Sequence, residues 1–576
     1  MVNQIVTEAR RFYDPGCPYE IPVPETSLFS LLEDAASFYP DRIALDYFAQ
    51  TMSYRDLHEF SLRAAGVLWD AGVRKGDVVA ISLPNCPQAL IVFYACMRIG
   101  AVAAQHNPLA PAEEIADQLR RHGAKIAIVW EKCASNFSLD DSALETLFVV
   151  DITYHMPVSK RVALKAPLAK ARRLREQMRS PRPHDARSFD LALASARRID
   201  EDVEGAEGSD RAVILHTGGT NGVPKSVPLT HRNIGANVNQ CLFWVWRLHE
   251  GAETFFSLLP YFHAFGLTFF CCAAIGKAAT QIILPKFDVD LALEAHRRRP
   301  VTFFVGVPPM FERLERRAAE SGDSLRSIRY SVAGAMPLSV ESAKRWEEAT
   351  GGMIVEGYGL TETSPVLMGA PLSPLRRHGV LGLPFASTEV RLVDLDDPSR
   401  DVAEGEPGEI LVRGPQVFEG YLDAPEETAR VFTEDGWFRT GDVGVLDDGF
   451  LRMTDRKKEL ILSGGFNVYP SQVEAAIRGL PGVKDVAVVG LPSGDAKEEV
   501  AAALVLEEDA PAITVEQVRL WAERRVSHYA LPRVVSVLVD LPRNPLGKVM
   551  RRKVREQLLA ARQNPSSQDG KKSPMA

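Results

Sequence analysis

Apolar runs alternate with helical repeats and polar turns through most of the chain. Ile43-Ala44-Leu45-Asp46-Tyr47 and Val78-Val79-Ala80-Ile81-Ser82-Leu83 predict buried strands. Helices are predicted from Ser27, from Tyr54 and from Pro87. The last is almost wholly apolar to Arg98 and stops near Gly100, because proline suits a first helical turn and glycine a helix end. Ala212-Val213-Ile214-Leu215 predicts another buried strand, and Ser226-Val227-Pro228-Leu229 an extended run that reaches Thr230 or Asn233 as a helix cap. Alternating signals of this kind specify an α/β fold, a sheet covered by helices. Nearer the C-terminus the spacing predicts a helix over 473–480 and strands over 486–490 and 501–506, a small α+β domain of about 100 residues. From Ala560 onward no apolar pattern remains, which predicts disorder. The expected division is a large, multi-subdomain α/β domain over 1–455, a small mobile α+β domain over 456–555 and a disordered tail over 556–576.

Composition narrows the picture. A chain of 576 residues exceeds one hydrophobic core, and the net charge of −8 speaks against a general nucleic-acid binder. Seven cysteines without a C-x-x-C pair suit a reducing compartment, and Cys271-Cys272 lies in an apolar stretch that favours packing over chemistry. The first residues lack the apolar core of a signal peptide, and the longest apolar run, 264–276, is shorter than the about 20 residues a bilayer requires. A cytoplasmic protein is expected. Residues 160–187 carry ten Lys or Arg against two acids, with Val162, Leu164, Leu168, Leu174 and Met178 interleaved. Such a segment is either a solvated insertion or a peripheral contact with the anionic inner face of a membrane. No nucleic-acid module accompanies it.

Five stretches carry candidate chemistry. Thr217-Gly218-Gly219-Thr220-Asn221-Gly222-Val223-Pro224-Lys225 joins two predicted strands. Its glycines let backbone N–H groups approach anionic oxygens, and it adds two hydroxyls and a cation; an ordinary Gly-rich turn is the alternative. It is not a P-loop, since Val223 and Pro224 stand where that motif differs. His263 follows Leu259-Pro260-Tyr261-Phe262, with Phe265, Phe269 and Phe270 beyond it as tunnel walls or core. In Glu356-Gly357-Tyr358-Gly359-Leu360-Thr361-Glu362 a ring between glycines suits stacking on a purine. A carboxylate beside a phosphate needs a cation between them, so Glu362 suggests a Mg²⁺ ligand. Asp442 lies in a tight turn, and a carboxylate there can accept two hydroxyl hydrogen bonds, as a ribose requires. Lys548 lies in a turn containing Pro545 and Gly547, from which a side chain could reach into a cleft.

Together, in this order, these stretches resemble the adenylate-forming superfamily of acyl-CoA synthetases, luciferases and peptide-synthetase adenylation domains. The match spans about residues 210–552. The usual phosphate signature is Thr-Ser-Gly-Thr-Thr-Gly-x-Pro-Lys-Gly, from which this chain departs at Gly218, Asn221 and Ser226. Gly218 and the string Phe466-Asn467-Val468-Tyr469-Pro470 are similar to the bacterial long-chain fatty acid–CoA ligases.

The resemblance implies that Thr217, Gly218, Gly219, Thr220, Asn221, Gly222 and Lys225 bind phosphate. His263 would border the carboxylate and acyl pocket. Gly334, Ala335, Glu356, Gly357 and Gly359 would line the adenine site, with Tyr358 stacked on the base and Thr361 at the α-phosphate. Glu362 would hold magnesium, Asp442 the ribose, and Arg456 ribose or phosphate. Lys458 would be the pivot, Gly464 and Gly465 would flank the pantetheine path, and Lys548 would be catalytic. The implied activity is that of an ATP-dependent ligase joining a medium- or long-chain fatty acid to coenzyme A through an acyl-adenylate. Its substrates are small molecules: fatty acid, ATP and coenzyme A, with Mg²⁺. The alternatives are an acyl-AMP ligase that loads a carrier protein, a ligase for another acid such as an aryl acid, and a non-catalytic nucleotide or fatty-acid binder. Retention of Lys548, Glu362 and Asp442 together argues against the last.

Overall fold

The computed structural model describes residues 2–137, 143–217, 225–463, 466–493, 498–544 and 547–563. These form two compact units, residues 2–390 with 412–438, and 391–411 with the chain from 439 onward. By packing, therefore, residues 439–455 go with the C-terminal segment.

The first unit holds two largely parallel sheets. One has the order Leu383–Pro384, Val366–Gly369, Met353–Gly359, Tyr330–Gly334, Phe303–Gly306, Thr254–Ser257, Thr280–Ile283, Ile43–Tyr47, Gln50–Ser53. The other runs Arg187–Ser188, Thr146–Val150, Ile126–Trp130, Val78–Ser82, Val102–Gln105, Arg211–Thr217, Lys225–Thr230. Strands of parallel sheets are covered on both faces, which is why they read as unbroken apolar runs. The helix Pro87–Ile99 is buried at every residue but Arg98 and ends on Gly100 in the left-handed conformation. Its Tyr94 hydroxyl donates to the Cys271 carbonyl at 2.6 Å. Two capping boxes start the helices that the sequence predicts, Ser53 with Asp56 before Tyr54–Asp70 and Thr230 with Asn233 before His231–Trp244. The helix expected from Ser27 begins at Phe29.

The strands Glu389–Val393, Gly408–Arg413, Phe438–Asp447 and Phe450–Arg456, most of whose residues belong to the second unit, form one sheet, and Val483–Pro492, Glu498–Leu506 and Val534–Val537 form another. The latter is apolar on both faces. Val486, Val488, Ala502 and Leu504 pack toward Val473 and Ile477 of the helix Pro470–Arg478. Ala487, Val489, Ala501 and Ala503 pack toward Val554 and Leu558. That second contact corrects the expected tail. Residues 556–563 belong to the helix Arg551–Gln563, because Val554 and Leu558, four residues apart among basic side chains, supply an apolar stripe that the local composition conceals. Residues 564–576 lie outside the described residues. Among the described residues no helix is long and apolar enough to cross a membrane.

The basic segment forms two short helices, Val158–Ala163 and Ala169–Met178. Val158, Val162 and Leu168 are well exposed there, at 71%, 62% and 66%, beside Lys165, Lys170, Arg172 and Arg173.

Candidate functional site

Ligand sites of parallel sheets gather at the carboxyl ends of the strands. In the first unit Tyr330–Gly334 and Met353–Gly359 are parallel neighbours, in register at Gly334 and Gly357. The next residue, Ala335, has φ 64°. A Cβ on Gly334 would lie 2.8 Å from the Phe265 ring, and one on Gly359 only 1.8 Å from the Pro365 carbonyl oxygen. Close approach thus requires both glycines, and Tyr358, half-buried between Gly357 and Gly359, pairs across the sheet with Met368. Glu356 is buried and accepts the Gly379 N–H at 2.9 Å; burial pushes its carboxyl up to about 7.

A 3₁₀ turn, Thr361–Thr363, follows. Glu362 Oε1 accepts the Tyr421 hydroxyl at 2.9 Å. The Lys225 ammonium lies 4.4 Å from the centre of the Tyr421 ring and 2.6 Å from Glu427 Oε2. Tyr421 therefore links the residue closing the Gly-rich loop to the proposed metal ligand. Thr217 faces Lys225 across the antiparallel pair that frames that loop. Gly218, Gly219, Thr220, Asn221 and Gly222 lie outside the described residues.

His263 caps the helical stretch 264–276, whose middle, Leu267–Ala273, is a π-helix, a form frequent at functional sites. Its Nδ1 accepts the Phe265 N–H at 3.3 Å, and burial pushes the imidazole down to about 4, so it is neutral at physiological pH. The preceding loop is fixed by Asn85, which donates to the Leu259 carbonyl at 2.7 Å and accepts the Tyr261 N–H at 3.1 Å. Thr268 donates to the Ser364 carbonyl at 2.6 Å. With the Phe265–Gly334 contact, this bond brings His263, Gly334, Ala335, Tyr358, Thr361 and Glu362 into one region. Phe265, Phe269 and Phe270 are all buried.

The second unit gathers another set. Asp442, at 3% exposure, lies opposite Arg456 in its sheet, with Arg456 Nε 3.2 Å from Asp442 Oδ1. Asp442 lies within the strand Phe438–Asp447 rather than in the expected tight turn; Gly441, with φ 71°, and a bond from the Asp442 N–H to Thr440 Oγ1 at 3.1 Å bend the strand there. Lys548 is held by reciprocal backbone and side-chain bonds with Asn544, its N–H donating to Asn544 Oδ1 at 2.9 Å. Burial, then the neighbouring Arg456 guanidinium, pushes the Lys548 ammonium down to about 8, with Asp442 and Glu459 opposing the shift. Lys548, Asp442 and Arg456 thus share one electrostatic neighbourhood. Lys457 is engaged with Glu409 at 3.0 Å, whereas Lys458 is exposed in the turn Lys457–Glu459. Gly464 and Gly465 lie outside the described residues.

Sequence reasoning missed Tyr421, Glu427, Asn85 and the cluster in which Arg551 meets Asp455, Glu459 and Glu474. Tyr421 and Glu362 are 59 residues apart, and no local spacing connects them.

These features define a two-unit α/β protein with an antiparallel strand pair ending at Thr217 and Lys225, a tyrosine ring beside a glycine that admits no Cβ, and a set of Asp442, Arg456 and Lys548 in the second unit. Residues 32–422 match the family described as AMP-binding enzyme, and residues 472–548 match the AMP-binding enzyme C-terminal domain. The chain is 34% identical over 555 residues to the long-chain-fatty-acid–CoA ligase of Bacillus subtilis (strain 168), covering 95% of this chain and 97% of that protein. It is likewise 34% identical over 553 residues to the long-chain-fatty-acid–CoA ligase of Escherichia coli O157:H7, with coverage of 95% and 97%. The crystal structure of ATP-bound MatB from Rhodopseudomonas palustris superposes with a TM-score of 0.77 at 28% identity, covering 92% of this chain and 99% of that one. The chain belongs to the AMP-binding enzyme family, within the adenylate-forming superfamily.

Proposed function

We propose that this protein is an ATP-dependent long-chain fatty acid–CoA ligase. The observation that carries the reading is its end-to-end similarity to proteins of that name. A carboxylate oxygen of the fatty acid bonds to the α-phosphorus of ATP as the bond from that phosphorus to pyrophosphate breaks. The coenzyme A sulfur then bonds to the acyl carbon, AMP departs and the thiol proton passes to solvent.

The residues would divide the work as follows. Thr217, the Gly-rich loop and Lys225 hold the phosphates, Tyr358 stacks on adenine between Gly357 and Gly359, and Thr361 meets the α-phosphate. His263, being neutral, walls the carboxylate without drawing it into an ion pair. Asp442 accepts the ribose hydroxyls, oriented by Arg456, and Lys548 offsets charge developing on the α-phosphate. The small domain from Arg456 onward turns about Lys458, and Gly464 and Gly465 line the pantetheine path. Magnesium fits Glu362: a single carboxylate, fixed on one oxygen by Tyr421, is the kind of donor Mg²⁺ combines with substrate phosphates. When bound, the ion would neutralise phosphate charge.

Each methylene buried in an apolar acyl pocket contributes up to about 0.8 kcal/mol. CoA-dependent AMP formation should therefore rise from butyrate toward oleate. A preference for acetate or coumarate would overturn the long-chain assignment, and transfer to a carrier protein but not to coenzyme A would replace it with an acyl-AMP ligase.

The exposed apolar and basic side chains of 158–175 also support peripheral contact with anionic lipid. Each cation near such a surface contributes about 1 kcal/mol, screened by salt. Sedimentation with phosphatidylserine vesicles should exceed that with phosphatidylcholine vesicles and fall with salt. Equal sedimentation with both would make the segment a solvated insertion.

A further inference from the structure

Outside the residues assigned above, the first unit sets three histidines against one another, His106 and His122 buried and His216 partly so. His106 follows the strand Val102–Gln105, His122 ends the helix Ala112–His122, and His216 lies in the strand Arg211–Thr217, beside Thr217. One nitrogen of each lies within 4.8 Å of those of the other two. Nothing in the family reading uses them, and their spacing in sequence, 16 and 94 residues from His122 on either side, matches no local metal motif.

The hydrogen bonds around the cluster aim lone pairs inward. His106 Nδ1 lies 2.6 Å from Gln118 Oε1, whose amide nitrogen is turned to Glu114 at 3.1 Å. Gln118 therefore accepts from Nδ1–H, leaving His106 Nε2 with its lone pair. That Nε2 faces His122 Nε2 at 3.0 Å. His216 Nδ1 contacts the Ser226 hydroxyl at 3.2 Å, while its Nε2 is buried with no hydrogen-bond partner among the described residues. An orphaned buried nitrogen beside two converging imidazoles calls for a ligand.

We propose that His106, His122 and His216 form a binding site for a zinc-class divalent cation through their Nε2 atoms, stapling the end of one strand and a helix to the base of the Gly-rich loop. A tetrahedral Zn²⁺ ion with Zn–N bonds of about 2.0–2.1 Å sets its ligand nitrogens about 3.3 Å apart, so the His106–His122 pair is already near that spacing and His216 closes by side-chain rotation. Gln118 acts as the outer partner that orients a ligating histidine, and water completes the fourth position. Burial holds His106 and His122 at about 4 and about 3, so both are uncharged ligands at neutral pH. Binding has identifiable costs. The ion displaces the proton between the two Nε2 atoms, His122 gives up a 3.3 Å bond from the Ala124 N–H, and the neighbouring Arg121 opposes the added charge, partly offset by Asp117 at 2.9 Å.

The test uses untagged full-length protein stripped with EDTA and titrated with Zn²⁺ alone. One equivalent should bind, and Co²⁺ in its place should give the visible absorption of a tetrahedral site. His216→Asn and His122→Phe should abolish stoichiometric binding. Gln118→Met, which keeps all three ligands, should weaken it about 10–100-fold. Circular dichroism of the metal-free variants reports folding independently. Absence of one-equivalent binding to the stripped wild type, or binding unchanged in Gln118→Met and in a folded His216→Asn, overturns the proposal.

Discussion

Lys548→Ala is expected to slow acyl-adenylate formation by about 10²–10³, because it removes one positioned cation from the charge developing at the α-phosphate. Supplied with pre-made acyl-AMP and coenzyme A, the same variant should form thioester near the wild-type rate. In the structure Lys548 shares the neighbourhood of Asp442 and Arg456 within the second unit. That grouping is the one an adenylating lysine requires; in the thioester step the bond that breaks joins the acyl carbon to oxygen, phosphorus keeps its four oxygens, and the reading gives Lys548 no part in it. Equal loss in both half-reactions would mark Lys548 as structural.

The same lysine gives the prediction a pH signature. Its ammonium is held near about 8 by burial and by Arg456. Being cationic when protonated, it serves adenylation below that value and is lost as pH rises through it. The kcat/KM for ATP, which reports groups of the free enzyme, should therefore fall above about pH 8 in the wild type. In Lys548→Ala this alkaline limb should vanish. A limb that persists in the variant would assign the titration to another group.

Much of this arrangement was legible in the sequence where local rules act. The strand Ile43–Tyr47, the helix from Tyr54 and the helix from Pro87 rest on periodicity, a capping box and a Pro–Gly pair, all decided within a few residues. Candidate residues such as His263, Tyr358 and Glu362 were visible because they stand in fixed strings. What joins them was not. The Phe265 ring against Gly334, Thr268 on the Ser364 carbonyl and Tyr421 on Glu362 are contacts across 59 to 96 residues. The helix Arg551–Gln563 was mistaken in part for tail because two buried aliphatics among arginines and lysines leave composition almost unchanged. The three-histidine cluster was invisible for the same reason: a strand end, a helix end and a second strand meet only after the sheet has formed.

Asp442 offers the second large effect, with a different signature. It is buried and lies opposite Arg456, whose Nε is 3.2 Å from its Oδ1. Hydrogen bonds to a charged group contribute about 1.5–3 kcal/mol each. Two such bonds to the ribose hydroxyls correspond to about 10²–10⁴ in kcat/KM for ATP at 1.4 kcal/mol per tenfold. Asp442→Asn keeps the shape but loses the charge and the double acceptor. Because AMP is carried through both half-reactions, this variant should lose adenylation and also thioester formation from acyl-AMP, unlike Lys548→Ala. The decisive reagents are 2′-deoxy-ATP and 3′-deoxy-ATP. Wild-type enzyme should discriminate against at least one of them by an order of magnitude or more, on the scale of one charged hydrogen bond. Asp442→Asn should use ATP and the deoxy analogues almost equally, since the acceptor that distinguished them is gone. Thermal unfolding of the variant, with Arg456 left without its carboxylate partner, separates lost binding from lost fold. If a folded Asp442→Asn discriminates as strongly as the wild type, the ribose is held elsewhere, and Asp442 serves to fix Arg456 and the strand bend at Gly441.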